Sequence, residues 1–174
     1  MRKTFARLLL AAVVATASFT AHAAEQKPAE EGSSLLERYT NAAQDVILQG
    51  LKLVGVNYRR GGNDEDNGLD CSGFVRLVYK ETIGTLLPRT AKEMSEVGEH
   101  VDADELKPGD LVFFNTLSRA FSHVGIYLGD NKFMHANSRG GGVRVDDMNG
   151  GYWARRFNGA RRIEVDDTSN LPLR

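Results

Sequence analysis

One cysteine and two histidines are the residues of this sequence whose types could support nucleophilic catalysis. Cys71 is the only cysteine of the 174 residues, and it lies where a helical pattern begins. A thiol attacks a carbonyl carbon as the thiolate, which the first turn of a helix and a neighbouring imidazole both favour. His123 can supply that imidazole, and His135 can orient the His123 ring as the third member of a triad does.

The two histidines are predicted to share one face of a β-hairpin. If Gly129-Asp130-Asn131 forms the loop, with Asn131 in the left-handed conformation, Gly125 lies opposite His135 and His123 lies diagonal to it. A loop of two residues would put the histidines on opposite faces. In the favoured register the other face supplies core residues, namely Val124, Ile126, Leu128, Met134 and Ala136.

Three further residues are candidates for the surroundings of the nucleophile. Tyr58 can donate a hydroxyl to an oxyanion, but its spacing equally fits a buried aromatic residue with a satisfied hydroxyl. Asp70 occupies a natural N-cap position and Ser72 a first-turn position, so both also have purely structural explanations. Four arginines could bind substrate carboxylates or simply be solvated, namely Arg59, Arg60, Arg89 and Arg139.

The elements that must position these residues change in type along the chain. Apolar residues at helical spacing predict an amphipathic helix over residues 35–50 and a second helix from Cys71, capped by Asp70 and ended by Gly84. A short helix is predicted within residues 88–98. Short apolar runs then predict strands at 111–114, 123–128, 132–137, 142–146 and 160–165. This order indicates an α+β fold with N-terminal helices packed on an antiparallel β-sheet.

The beginning of the chain predicts export. Residues 1–23 combine a basic start, a short apolar run and a small-residue end, which is typical of a signal peptide. Residues 24–34 lack periodicity and are interpreted as a flexible leader, and residues 35–174 as one domain. We expect a soluble protein in the periplasm or outside the cell. Because no cysteine lies near the cleavage region, we expect no lipid anchor in the membrane.

Charge and cysteine usage narrow the function classes. The formal net charge is −1, and removal of residues 1–23 takes away three positive charges and leaves −4, so no nucleic acid partner is expected. A single thiol in an oxidising compartment cannot form an internal disulfide, which suggests burial or a chemical role. A metal site built on His123 and His135 lacks a third ligand at zinc-like spacing. We therefore expect neither a metal nor another cofactor.

Several segments, in order, resemble those of the NlpC-type family of papain-like cell-wall cysteine peptidases. The similarity extends to residues 152–157 and 160–163 and so covers nearly all of the mature domain. The segments that carry it are Asn57-Tyr58-Arg59-Arg60-Gly61-Gly62, Asp70-Cys71-Ser72-Gly73-Phe74-Val75, residues 106–114, His123-Val124-Gly125-Ile126-Tyr127-Leu128-Gly129 and Phe133-Met134-His135-Ala136.

The resemblance implies a papain-like fold in which Cys71 is the nucleophile, His123 the general base and His135 the orienting residue. It also implies that Tyr58 contacts the oxyanion or substrate, and that Asp70 and Ser72 line the substrate pocket. The implied substrate is the peptidoglycan stem peptide. The run Tyr152-Trp153 followed by paired arginines is most similar to Spr-type murein DD-endopeptidases, which cut D-alanyl-diaminopimelate crosslinks.

Other functions remain open at the level of sequence. Relatives within the family cut the γ-D-glutamyl-diaminopimelate bond instead. A non-catalytic wall-binding protein could retain the fold, although the set of Cys71, His123 and His135 speaks against it. An acyltransferase could use the same acyl-enzyme, because an amine can resolve it as well as water. A regulatory adaptor is compatible with either role, and the sequence leaves the oligomeric state undetermined.

Overall fold

The computed structural model describes residues 27–116, 119–139 and 141–164. The first helix, α1, covers Lys27–Lys52 and therefore begins within the segment interpreted as a flexible leader. The predicted signal peptide lies outside the described residues. Among the helices that are described, none has the length and apolar character needed to cross a membrane.

The helices and strands follow in the order that the sequence predicts, with three additions. After α1 come a small hairpin, β1 (Asn63–Asp64) and β2 (Gly68–Leu69), then α2 (Cys71–Ile83) and α3 (Ala91–Met94). The remaining elements are β3 (Glu99–Val101), β4 (Leu111–Phe114), β5 (His123–Gly129), β6 (Lys132–Asn137), β7 (Gly142–Asp147), α4 (Gly151–Ala154) and β8 (Phe157–Arg162). The small hairpin, β3 and α4 were not predicted.

Six strands form one antiparallel sheet in the order β3-β8-β4-β5-β6-β7. The last strand begins at Phe157, three residues before the predicted start, because it pairs with β4 on one side and with β3 on the other. Such partners are distant in sequence, so a local pattern does not reveal them. The predicted α+β class, with helices beside an antiparallel sheet, is confirmed.

The β5–β6 hairpin has the predicted register but reaches it by a different turn. Ile126 pairs with Met134 and Tyr127 with Phe133, as the three-residue loop requires. The turn itself contains only Asp130 and Asn131, both with positive φ of 48° and 57°. The register shifts between Tyr127 and Gly129, and this irregularity restores the parity that a two-residue turn alone would have reversed.

Both faces of the sheet are covered by core residues. On one face Val124, Ile126, Met134 and Ala136 pack with the buried side of α2, as predicted. On the other face Phe114, Tyr127 and Phe133 pack with Trp153 of α4. The histidines belong to this second face, because their rings contact Phe114, Phe133 and Trp153.

Candidate active site

Local sequence signals position Cys71 at the start of α2. Asp70 has an extended backbone and accepts a hydrogen bond from the Gly73 amide at 2.7 Å, so it is the N-cap of the helix. Gly84 ends the helix in the left-handed conformation, with φ of 70°. Both caps agree with the sequence prediction. Cys71 is consequently the first residue of the helix, where backbone N–H groups lack helical partners.

Two glycines let the turn before the small hairpin approach α2 on one side and β2 on the other. A Cβ at Gly73 would lie 2.0 Å from the Gly62 carbonyl oxygen, and one at Gly62 would lie 2.0 Å from the Gly68 carbonyl oxygen. Gly61 has φ of 78°, which permits the turn. A tight turn and close packing therefore account for glycine at these positions.

An ion pair connects Asp70 and Arg89 beside Cys71. The guanidinium donates to both Asp70 carboxylate oxygens, at 3.1 and 2.7 Å, and to the Ser72 hydroxyl at 2.8 Å. The amide of Gly61 donates to the same carboxylate at 2.9 Å. Hydrogen bonds from Arg89 and from backbone amides hold the pKa of Asp70 below its ordinary value, against the effect of burial. The two sequence candidates Asp70 and Ser72 thus belong to one polar cluster.

The Cys71 thiol is protonated at rest. Burial raises its pKa to about 11, and the neighbouring Asp70 carboxylate adds to the increase. Hydrogen bonds from the backbone N–H groups of Val124, Ser72 and Cys71 itself act in the opposite direction. Because Val124 directly follows His123 in β5, the thiol lies at the beginning of the strand that carries this histidine.

The two histidines form a hydrogen-bonded chain that ends on a carboxylate. Nε2 of His123 lies 2.8 Å from Nδ1 of His135, and Nε2 of His135 lies 3.0 Å from Oδ2 of Asp146. Trp153 stacks on His123 with ring centroids 5.4 Å apart, and Phe133 stacks on His135 at 4.6 Å. Nε2 of His123 is hydrogen-bonded to His135, so Nδ1 of His123 is the ring nitrogen that can exchange a proton with another group.

Burial keeps both imidazoles neutral. It lowers the pKa of His123 to about 3, and the neighbouring His135 contributes to the decrease. Burial also lowers the pKa of His135, although the hydrogen bond to Asp146 opposes this. The pKa of Asp146 is held well below its usual value, chiefly by the hydrogen bond from His135 and also by those from Arg144 and Trp153.

Tyr58 lies close enough to Cys71 for a thiolate there to affect its pKa. Its pKa is raised, first by burial and then by the negative charges of the Cys71 thiolate, once that forms, and of the Asp70 carboxylate. The ring is partly buried against the core that also contacts Cys71. Its backbone N–H donates to the Gly141 carbonyl at 3.2 Å, which ties this segment to the beginning of β7.

Two clefts adjoin these residues. One, of about 770 Å³, has Cys71, Asp70, Ser72 and Arg89 in its wall. The other, of about 280 Å³, is lined by His123, Arg139, Arg144 and the aromatic pair Tyr152 and Trp153, among others. Arginine side chains are present in the walls of both clefts.

Asp146 and Trp153 were not identified as site residues from the sequence. Both belong to the surroundings of the histidines, since Trp153 Nε1 also donates to Asp146 Oδ2 at 3.0 Å. In the β6–β7 pairing His135 lies opposite Arg144, so Asp146, two residues further on, shares its face. That parity could have revealed Asp146, but three successive glycines at 140–142 leave the register of the hairpin unspecified in the sequence.

Comparisons with known proteins agree with this geometry. Residues 55–162 match the NlpC/P60 family. The chain is 42% identical over 128 residues to the murein DD-endopeptidase MepS/murein LD-carboxypeptidase of Escherichia coli, covering 74% of this chain and 66% of that protein. It is 39% identical over 120 residues to the gamma-DL-glutamyl hydrolase of Bacillus subtilis, covering 68% of this chain and 29% of that protein.

A solved structure shows the same fold. An NlpC/P60 family protein from Bacillus cereus superposes with a TM-score of 0.65 at 33% identity, over 69% of this chain and 39% of that one. The chain thus spans slightly less than two thirds of the Escherichia coli relative and smaller parts of the other two. The family match nevertheless includes every element from the turn before β1 to β8. This chain therefore belongs to the NlpC/P60 family.

Proposed function

We propose that this protein is a peptidoglycan endopeptidase that hydrolyses amide bonds in murein stem peptides or crosslinks. In this proposal Cys71 is the nucleophile, His123 the general base and His135 the residue that orients His123. The observation that carries it is the thiol at the start of α2, hydrogen-bonded to the Val124 amide next to His123, whose far nitrogen lies 2.8 Å from His135.

The pKa values favour proton transfer during attack over a preformed ion pair. Burial disfavours charge on Cys71 and on His123, so both are neutral before substrate binds. Nδ1 of His123 accepts the thiol proton as Sγ bonds to the carbonyl carbon. The imidazolium then gives that proton to the leaving amine, and water, deprotonated by the same nitrogen, releases the acid product.

The oxyanion would form beside the start of α2. Backbone N–H groups of the first helical turn are natural donors to it, because they have no helical acceptor. The hydroxyl of Tyr58 is a further donor, and the interaction of Tyr58 with the Cys71 charge supports its assignment to this position. Asp70 and Ser72 line the cleft with Arg89, and in this proposal they contact the substrate's acyl side.

The favoured bond is the D-alanyl-diaminopimelate crosslink. The Escherichia coli relative is named a murein DD-endopeptidase, and it is 42% identical to this chain. The alternative is the γ-D-glutamyl-diaminopimelate bond, which is in line with the name of the Bacillus subtilis relative, a gamma-DL-glutamyl hydrolase. Either bond requires the enzyme to reach the cell wall, and the signal-like residues 1–23 support export to the periplasm or beyond.

Product analysis on purified peptidoglycan tests the proposal. The protein and a Cys71→Ser variant, which keeps the side-chain shape, are incubated with peptidoglycan and with defined muropeptides. Fragments are then identified by chromatography and mass spectrometry. Conversion of crosslinked dimers to monomers by the parent protein alone indicates a DD-endopeptidase, whereas stems shortened to dipeptides indicate cleavage after γ-D-glutamate.

Two outcomes would contradict hydrolysis. Products that carry an added amine in place of a new carboxyl group would identify an acyltransferase. Binding to peptidoglycan without any product that depends on Cys71 would identify a wall-binding protein. Equal cleavage by the Cys71→Ser variant would remove Cys71 from the mechanism.

A further inference from the structure

We propose that Asp146 is a positioning residue that determines, through His135, which ring nitrogen of His123 is free to accept the thiol proton. This inference rests on the proposed function for its role in turnover. The arrangement it describes is nevertheless present in the resting protein and can be measured there.

The direction of each hydrogen bond follows from the carboxylate. An ionised carboxylate can only accept, so Nε2 of His135, at 3.0 Å, must carry the proton. A neutral imidazole has one N–H, so Nδ1 of His135 is then an acceptor. The 2.8 Å contact therefore requires that Nε2 of His123 donates. His123 is left with an unprotonated Nδ1, which is the form that a general base needs.

Three donors converge on a single oxygen of Asp146. Oδ2 accepts from His135 at 3.0 Å, from the Arg144 guanidinium at 2.7 Å and from the Trp153 indole at 3.0 Å. These donors come from β6, from β7 itself and from α4, and together they keep the carboxylate ionised. Both imidazoles are buried and neutral at neutral pH. His123 therefore continues to donate to His135, and His135 to Asp146, at that pH.

Asp146 also fixes the orientation of the rings through Trp153. The indole that donates to Asp146 stacks on His123 with an interplanar angle of 24°. Loss of the carboxylate would free His135 to adopt the other tautomer and would release the indole from its acceptor. Either change removes the constraint on His123 without touching the nucleophile.

The test compares Asp146→Ala and Asp146→Asn with Asp147→Asn. Asp147 is the matched control, because it is the next residue of β7 and its carboxylate is half exposed, 4.0 Å from Lys132. Ring ¹⁵N chemical shifts of the histidines give the tautomers in the resting protein. The second measurement is the pH dependence of Cys71 alkylation by iodoacetamide. The third is kcat and KM on a crosslinked muropeptide.

We expect the Nε2–H tautomer for both histidines in the parent protein and in Asp147→Asn. In Asp146→Ala we expect mixed tautomers, an altered alkylation profile and a fall in kcat on the order of 100-fold with little change in KM. Asp146→Asn should retain more activity than Asp146→Ala, because its amide oxygen can accept the same proton.

Parental tautomers or an unchanged pH profile in folded Asp146→Ala would overturn the inference, as would an effect confined to KM or to thermal stability. If the parent protein cleaves no muropeptide, the proposed function fails. The tautomers and the alkylation profile still decide the role of Asp146 in that case.

Discussion

At the scale of single residues, the two partners of the proposed proton transfer are shifted in opposite directions. The pKa of Cys71 is raised to about 11 and that of His123 is lowered to about 3, in both cases mainly by burial. Each shift disfavours the charged form of its own group. Transfer of the proton from Cys71 to His123 creates two opposite charges side by side. Because these charges attract each other, the transfer costs less free energy than ionising either group alone.

The pH dependence of activity follows from these shifts. His123 must be neutral to act as base, and its lowered pKa keeps it neutral below pH 6.5, the ordinary value for imidazole. We expect kcat/KM on a defined muropeptide to persist as the pH falls through about 6.5 and to decline only well below it. Circular dichroism at each pH separates this decline from unfolding.

The rate of Cys71 alkylation by iodoacetamide reports ionisation of the thiol at alkaline pH, and it requires no substrate. This rate should still increase above about pH 9, beyond the point where an ordinary thiol with a pKa near 8.5 is mostly ionised. An acid limb centred on about pH 6.5 in the folded protein, or an alkylation plateau near about pH 9, would contradict the neutral resting pair.

At the scale of elements, the position of Cys71 depends on how α2 meets the turn at residues 61–62. The helix is capped by Asp70. At Gly73 it contacts the turn so closely that the Gly62 carbonyl oxygen lies where a side chain would begin. Asp70 accepts from Gly61 on the same turn, so one residue holds both the helix and the turn. The start of α2 is therefore rigidly joined to its surroundings.

We expect Gly73→Ala to destabilise the protein and to displace Cys71. Its Cβ would overlap a backbone oxygen at 2.0 Å, which a side-chain rotation cannot relieve. A loss of about 1–3 kcal/mol in the free energy of unfolding is typical of such overpacking. Urea unfolding measures the loss, and Cys71 alkylation detects the displacement. Lys80→Ala, at an exposed position of α2, is the control. If Gly73→Ala were as stable as this control, the turn at residues 61–62 would be able to move away from the added side chain.

At the scale of the whole molecule, a buried ion pair connects parts that are far apart in sequence. Asp110, in the turn before β4, is fully buried and accepts from Arg162 of β8 at 2.8 Å on each oxygen. The Tyr39 hydroxyl of α1 donates to it at 3.3 Å, and the Lys107 amide does so at 2.7 Å. This cluster joins the first helix to the last strand, away from Cys71 and the histidines.

Arg162→Ala should lower the free energy of unfolding by about 3–5 kcal/mol, since it leaves a buried carboxylate without its charged partner. Lys132→Ala is the matched control, because it breaks an exposed pair with Asp147 at 4.0 Å, and a change below about 1 kcal/mol is expected. Thermal and urea unfolding measure both. Similar small losses in the two variants would mean that the Asp110 cluster does not stabilise the fold.

Features that depend on neighbours along the chain could be predicted from the amino-acid sequence. Cys71 at the start of a helix follows from the Asp70 cap and the apolar spacing after it, and the helix ends at Gly84 as predicted. The shared face of His123 and His135 follows from strand parity, although a two-residue turn and an irregularity produce it instead of a three-residue loop. The α+β class follows from the order of these local patterns.

The residues that surround the histidines become known only from the folded arrangement of the sheet and helices. Asp146 reaches His135 through the β6–β7 register, which the glycines at 140–142 leave undetermined in the sequence. Trp153 reaches His123 from a short helix, and Arg89 reaches Asp70 across nineteen residues of chain. These contacts join segments that are distant along the chain, and the periodic spacing of residues does not identify such contacts. Their partners are set by how the sheet and helices pack, which no local pattern encodes.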